Sequence, residues 1–177
     1  NGQPAMQRKL MLQGVGLFYP MKNDITGISS GFNGDVWFST KGSGIIHVKK
    51  ISIGSNEATA TSADYFNDLN SQADNHVMTL YRDSKGVLWG GCWSGGLIRY
   101  EDEKNTFIRL KGNLARELKK YPIVKVIESG SNTYYLGTRG SGLIRIETNS
   151  TRDSLLRMEK FVNKLSDSSS ISNNFVS

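Results

Sequence analysis

One pattern occurs three times in the sequence, and it restricts the possible folds more than any other feature. Its clearest copy runs from Asp83 to Tyr100 and contains a polar turn, a short apolar strand, a corner of small residues and a second apolar strand. Glycine adopts the positive φ that tight corners need, and Val, Leu, Ile, Trp and Tyr favour a half-buried pleated surface. The pattern therefore predicts pairs of β-strands joined by tight corners.

The copies keep the same internal offsets. The repeated aromatic residue of the first strand is at Trp37, Trp89 and Tyr135. A corner glycine lies seven residues after each aromatic residue, at Gly44, Gly96 and Gly142. An apolar residue lies twelve positions before each aromatic residue, at Ile25, Val77 and Ile123, which predicts one more strand in each copy. We expect the three aromatic residues to be buried in the core.

Units of about 46 to 52 residues with four strands each have the periodicity of β-propeller blades. We predict an all-β fold: a β-propeller fragment of about three complete four-stranded blades, with partial blades at both ends. The predicted segments are the second half of a preceding blade at 9–20, blades at 24–66, 75–110 and 122–162, and the start of a further blade at 170–177. One or two helical turns are expected in the connection at Asn113–Tyr121.

Each blade buries its faces only against its neighbours, so open ends leave apolar surface exposed. We expect the chain to pack against the rest of a larger propeller. The alternatives, in decreasing order of preference, are assembly with a second copy of the chain and closure of the two ends into a strained four-blade ring.

The segment Asn75–Tyr100 resembles the two-component regulator propeller repeat, and Ser170–Val176 looks like the lead-in to another blade of that family. The likeness extends over nearly the whole chain, although Tyr135 replaces Trp in the third copy and Ser39 precedes Thr40 in the first. The family implies the periplasmic sensor region of a bacterial hybrid two-component system, in which propellers precede a membrane helix and cytoplasmic kinase domains. Such sensors typically recognise oligosaccharides. Contact with a membrane would come only through downstream segments outside these 177 residues.

The sequence contains little that predicts catalysis. No catalytic residue, metal site or cofactor is predicted, because neither His47 nor His76 has metal-ligand spacing or a neighbouring nucleophile motif. We interpret His47 as a solvated strand residue and Cys92 as a small packed residue. Turn capping accounts for three carboxylates at strand ends, Asp24, Asp74 and Asp83.

The net charge of +6 favours anionic partners but does not choose among them. We do not predict nucleic-acid binding, because it would depend on charge alone. One basic cluster is interpreted as the solvated side of a short helix and strand: Arg116, Lys119, Lys120 and Lys125.

A β-propeller has the shape of a disc. We expect one face of it to carry both the corners between the second and third strands of each blade and the connections between blades. Equivalent corner positions carry Lys41, Trp93 and Arg139, and Asn75 and His76 approach from the connections. An indole stacks on a sugar ring, and Lys or Arg holds a carboxylate or sulfate. These five residues are our candidate ligand site, and the two cations favour an acidic oligosaccharide as its ligand.

Two other functions stay open. The first is an interaction scaffold that binds protein, which a broad apolar patch on the same face would favour. The second is a propeller polysaccharide lyase or glycosidase, which would need clustered acids or a His, Tyr and Arg set on the rim.

Overall fold

Three sheets, each built on four antiparallel strands, make up most of the chain in the computed structural model, which describes residues 9–12, 24–32, 34–53 and 57–177. Within each set of four, every strand pairs with the next one in sequence, and a fifth, parallel strand extends the first sheet. The strands are β1 (Lys9–Leu12), β2 (Asp24–Ser30), β3 (Val36–Lys41), β4 (Ile45–Ile53), β5 (Glu57–Phe66), β6 (Val77–Arg82), β7 (Leu88–Cys92), β8 (Leu97–Glu101), β9 (Thr106–Arg109), β10 (Ile123–Glu128), β11 (Thr133–Thr138), β12 (Leu143–Thr148) and β13 (Leu155–Phe161). We call β2–β5 blade 1, β6–β9 blade 2 and β10–β13 blade 3.

Successive first strands lie next to each other, β2 against β6 and β6 against β10, so the blades are arranged around a common axis as in a β-propeller. The one α-helix among the described residues, α1 (Asn113–Leu118), connects blade 2 to blade 3, and a 3-10 turn at Asp102–Lys104 joins the last two strands of blade 2. The predicted fold class is confirmed: the chain is a β-propeller portion with three complete blades.

Strand β1 differs from the sequence expectation. Lys9–Leu12 pairs in parallel with Glu57–Ala60 of β5, at the outer edge of blade 1, and so belongs to that sheet rather than to a preceding blade. The outer edge of the ten-residue strand β5 offers unpaired N–H and C=O groups, which readily take up an additional strand. Residues 13–20 of the expected preceding blade lie outside the described residues.

Aromatic packing joins each blade to the next. The Trp37 ring lies 4.8 Å from Tyr100 and 5.9 Å from Phe107 in blade 2, and the Trp89 ring lies 4.9 Å from Tyr134 in blade 3. The repeated tryptophan of one blade therefore fills the space between two sheets. Burying such side chains contributes about 1.5–3 kcal/mol each.

The third repeated aromatic residue behaves differently from the prediction. Tyr135 is half-buried, whereas its neighbour Tyr134 is fully buried against Trp89. Because successive strand residues point to opposite faces, Tyr135 faces away from blade 2. The prediction of a buried core residue at Tyr135 was therefore wrong, and Tyr134 has that role at this interface.

A backbone contact recurs at all three corners. The N–H of Gly44, Gly96 or Gly142 donates to a carbonyl in the segment that follows the same blade, at 2.8, 3.1 and 2.9 Å; these acceptors belong to Asn75, Tyr121 and Asn174. Two isolated bridges extend the contact, Lys41 with His76 and Arg139 with Phe175. Each corner is thereby fixed to the lead-in of the following strand, so corners and connections share one edge of the disc, which we call the rim.

Asp83 is a buried carboxylate at the interface between blades 2 and 3. Its Oδ1 accepts hydrogen bonds from the backbone N–H groups of Lys85 and Val87, at 3.0 and 2.9 Å, as turn capping predicts. Its Oδ2 accepts from Trp89 Nε1 at 3.0 Å and from the Tyr134 hydroxyl at 2.7 Å. The carboxylate therefore joins the turn of one blade to the core of the next, which sequence reasoning did not predict.

Arg152 completes this buried network from the turn between β12 and β13. Its Nε donates to the Tyr134 hydroxyl at 2.5 Å and lies 2.7 Å from Asp83 Oδ2. Its Nη2 lies 3.3 Å from Glu128 Oε1, and Glu128 in turn accepts hydrogen bonds from Ser84. Blades 2 and 3 are thus joined by an ion-pair network that is shielded from water.

The network predicts a specific acid dependence. Burial alone would raise the pKa of Asp83, but hydrogen bonds from Trp89, Tyr134 and Val87 together with the Arg152 charge outweigh it and lower that pKa. A lowered pKa stabilises the fold in full at pH values well above the unfolded value of about 3.9, and this contribution declines progressively as the pH falls from about 5 through the folded pKa. We expect Asp83→Asn to lower stability at pH 7 and to flatten its decline between about pH 5 and pH 2, measured by urea unfolding.

A matched variant controls for the loss of one carboxylate. Asp68→Asn, at an exposed turn position, should change the free energy of unfolding at pH 7 by less than about 0.5 kcal/mol. Equal acid dependence of Asp83→Asn and the unsubstituted chain would contradict the assignment.

Candidate ligand-binding rim

The rim carries the three predicted corner residues at the ends of the second strands. Lys41 ends β3, Trp93 follows β7 and Arg139 follows β11. All three side chains are exposed, and Trp93 is 36% exposed although it is among the largest apolar groups of the chain. The corners project these side chains because the preceding residues, Cys92 and Thr138 among them, are fully buried.

Trp93 and Arg139 form a pair across two blades. The Arg139 guanidinium carbon lies 4.9 Å from the centre of the Trp93 ring, within the range of a cation–π interaction. At an exposed site such a pair contributes about 0.5–1 kcal/mol. The structure therefore brings a broad indole face and a forked cation into one surface.

Lys41, Asn75 and His76 adjoin this pair through the backbone. Lys41 forms a bridge with His76, and the His76 carbonyl accepts a hydrogen bond from the Trp93 N–H at 2.8 Å. The Asn75 carbonyl faces inward and accepts from the glycine corner of blade 1. All five predicted residues thus lie in one continuous stretch of the rim, with Asn75 half-buried.

Asp74 fixes the Trp93 corner and was predicted only as a turn cap. Its Oδ2 accepts from the Ser94 N–H at 2.8 Å, and its Oδ1 accepts from the His76 N–H at 3.3 Å. Burial opposes ionisation, but these hydrogen bonds and the nearby His76 outweigh it, so the pKa of Asp74 lies below its ordinary value. The carboxylate of Asp74 therefore holds the connection and the corner together.

The two rim cations, Lys41 and Arg139, form no ion pair with any described residue. Among the residues that the structure describes, no carboxylate lies within 4.0 Å of the Lys41 amine or the Arg139 guanidinium. Their charges are available to an anionic group. Arg139 also borders a cleft of about 380 Å³ together with Val124, Thr138 and Phe175.

His47 is not the solvated strand residue that we predicted. It is 8% exposed, its ring stacks on Trp37 with centroids 3.6 Å apart, and its Nε2 pairs with Asp35. The register of β3 and β4 places His47 directly opposite Trp37, so a planar ring at this position is covered by the indole. The His47 side chain therefore packs inside blade 1 and is not one of the rim residues.

The described residues contain no group of three or more His, Cys, Asp or Glu side chains that could hold a metal ion. Cys92 is fully buried, which confirms its interpretation as a packed residue, and burial raises the pKa of its thiol to about 11. A thiol with so high a pKa is a poor nucleophile at neutral pH. Within the same residues, no helix has the length and apolar character needed to span a membrane.

No family model matches the chain. No curated protein matches it either. Similar solved structures include the extracellular domains of two putative hybrid two component systems from B. thetaiotaomicron. BT4673 is 15% identical with a TM-score of 0.58, covering 86% of this chain and 20% of that chain. BT3049 is 17% identical with a TM-score of 0.55, covering 86% of this chain and 17% of that chain.

Another similar structure is that of a catalytically inactive virginiamycin B lyase from Staphylococcus aureus with quinupristin. It is 14% identical with a TM-score of 0.53, and the match covers 83% of this chain and 44% of that chain. This chain spans about a fifth of the length of each extracellular domain and less than half of the lyase. At these identities the likeness is one of fold, and all three comparisons agree with the three-bladed propeller portion described above.

Proposed function

We propose that this chain is part of a ligand-sensing propeller in the periplasmic region of a hybrid two-component regulator, and that its rim binds an oligosaccharide, preferentially an acidic one. The observation that carries the proposal is the exposed Trp93 ring with Arg139 above it and Lys41 nearby, neither cation being within ion-pair distance of a carboxylate in the described part of the chain. An indole face packs against the C–H face of a sugar, and a guanidinium forms paired hydrogen bonds with a carboxylate or sulfate.

The position of the pair suggests how binding would reach other domains. Trp93 belongs to blade 2 and Arg139 to blade 3, so a sugar that contacts both favours one relative position of the two blades. A ligand shifts an equilibrium only as far as its affinities for the two states differ. Downstream kinase domains would read that shift, a role supported by the fold likeness to extracellular domains of two-component systems.

The proposal predicts that Trp93→Ala weakens oligosaccharide binding by at least about tenfold, which corresponds to about 1.4 kcal/mol. Isothermal titration calorimetry of the full-length protein against sulfated, uronic-acid and neutral oligosaccharides measures it. The matched control is Phe32→Ala, because Phe32 is an exposed aromatic residue with Arg82 4.8 Å from its ring, in the turn between β2 and β3. That turn lies at the end of blade 1 opposite the rim, so Phe32→Ala should leave the affinity unchanged.

Equal affinities of Trp93→Ala and the unsubstituted protein would remove Trp93 from the site. The oligosaccharide should be recovered intact by mass spectrometry. Its cleavage would instead favour the polysaccharide lyase or glycosidase alternative.

A further inference from the structure

A second surface next to the rim has the chemistry of an anion site. A cleft of about 190 Å³ lies between β9 and α1, with Leu97, Leu110 and Leu118 along its inner wall. Three cationic residues, Arg109, Arg116 and Lys119, line the same cleft, and its lining contains no Asp or Glu among the residues that the structure describes.

These three cations are available to a ligand. None of them forms an ion pair within the described part of the chain, whereas Lys120 on the following turn pairs with Glu117. Arg109 Nη1 donates to the Gly95 carbonyl at 3.0 Å, and Arg116 Nη2 donates to Asn113 Oδ1 at 2.6 Å. A guanidinium has five N–H donors, so most donors of both groups stay available for an anion.

The cleft borders the same glycine corner that carries Trp93 on the rim. Trp93 lies two residues before Gly95, whose carbonyl accepts the Arg109 hydrogen bond. The next residue, Gly96, also lines the cleft, and a Cβ built on it would lie 3.3 Å from the Lys119 Cα. One glycine corner therefore separates the indole from the three cations.

We infer that this cleft is a subsite for one anionic group, a sulfate or a carboxylate, of the same glycan that stacks on Trp93. The inference rests on the proposed function and narrows its ligand class to glycans with at least two acidic groups, the other one being held by Arg139. The volume of about 190 Å³ is below the roughly 300–1,000 Å³ of pockets that enclose a whole ligand, so it suits one substituent of a longer chain.

The test replaces two cations at once in the full-length protein, as Arg116→Gln with Lys119→Gln. The matched control is Lys104→Gln with Lys164→Gln, which removes two exposed lysines that are in no ion pair with a described residue. Calorimetry compares a sulfated tetrasaccharide, an unsulfated uronic-acid tetrasaccharide and a neutral tetrasaccharide. The cleft variant should lose at least about tenfold in affinity for an acidic chain and have a shallower salt dependence, with the neutral chain unaffected.

If the cleft variant loses more affinity for the sulfated chain, the group bound in the cleft is a sulfate; if it loses more for the uronic-acid chain, the group is a carboxylate. Either result supports the subsite. Equal losses of affinity in the cleft variant and the control variant would overturn the subsite, because the loss of two positive charges anywhere on the protein would then explain the weaker binding. Tighter binding of a single-stranded oligonucleotide of equal charge would overturn it as well.

A separate measurement distinguishes failure of the subsite from failure of the proposed function. Titration with inorganic sulfate should shift the amide NMR signals of Gly96 and Leu118, which line the cleft and are kept in the cleft variant, and that variant should lose these shifts. Such shifts in a protein that binds no oligosaccharide would support the anion site and overturn the sensor proposal. Loss of glycan binding in Trp93→Ala, with none in the cleft variant, would support the rim and overturn the subsite.

Discussion

Arg152→Ala is expected to lower the free energy of unfolding by about 3–5 kcal/mol, the usual cost of removing one partner from a buried ion pair. The arginine is only 2% exposed, and its loss leaves the Asp83 carboxylate buried without its compensating charge. It also removes the donor to the Tyr134 hydroxyl. The damage is therefore greater than the net contribution of one hydrogen bond, about 0.5–1.5 kcal/mol.

Urea unfolding followed by tryptophan fluorescence measures this effect, because Trp89 lies in the same network. The matched control is Arg157→Ala, which removes an arginine from an exposed pair with Glu159. Exposed pairs contribute about 0–1 kcal/mol, so the control should be nearly neutral. A loss of that small size in Arg152→Ala would show that the network does not hold blades 2 and 3 together.

A double-mutant cycle with Asp83→Asn sharpens the result. Residues in one ion-pair network give interaction energies of about 0.5–3 kcal/mol, so the two substitutions should not add. If the free-energy changes of the two single variants sum to that of the double variant, Arg152 and Asp83 take part in separate interactions.

The second large effect is expected at Gly142, where Gly142→Ala should cost about 2–5 kcal/mol. Its φ of 81° is unfavourable for alanine, which contributes about 1–2 kcal/mol. A Cβ there would also lie 2.1 Å from the Phe161 carbonyl oxygen, so the backbone must move. Such overpacking adds about 1–3 kcal/mol and disturbs the hydrogen bond to the Asn174 carbonyl.

Gly140→Ala separates the two contributions. Gly140 lies in the same corner with φ 95°, but its Cβ would meet nothing closer than the Phe175 ring at 3.8 Å. It should therefore show only the conformational cost of about 1–2 kcal/mol. Thermal or urea unfolding of both variants gives the comparison, and equal losses would mean that the close approach to Phe161 relaxes without cost.

The sequence predicted which residues lie on the rim but not how their side chains contact each other. Offsets between copies placed Lys41, Trp93 and Arg139 at equivalent corners, because repeat position determines backbone position in a repeated sheet. The stacking of Arg139 on Trp93 could not be read from those offsets. It depends on how closely blade 3 approaches blade 2 and on the rotamer that each side chain adopts there.

Other differences between the predictions and the structure also arise from packing between segments that are distant in the sequence. Nothing local to Lys9–Leu12 indicates a parallel partner, and nothing local to His47 indicates an indole above it. Tyr134 and Tyr135 are identical residues in adjacent positions, so only the side on which blade 2 packs decides which of them is buried.

By itself, the sequence determined the four-strand unit, its three copies and the edge on which the corners lie, because strand alternation and glycine corners are set by residues close together in the chain. Tertiary structure alone decided the network of Asp83, Tyr134 and Arg152, the pair of Trp93 with Arg139 and the cationic cleft beside it. Those features join residues from different blades, or from a strand and the helix after it, and their distances follow from packing rather than from spacing in the sequence.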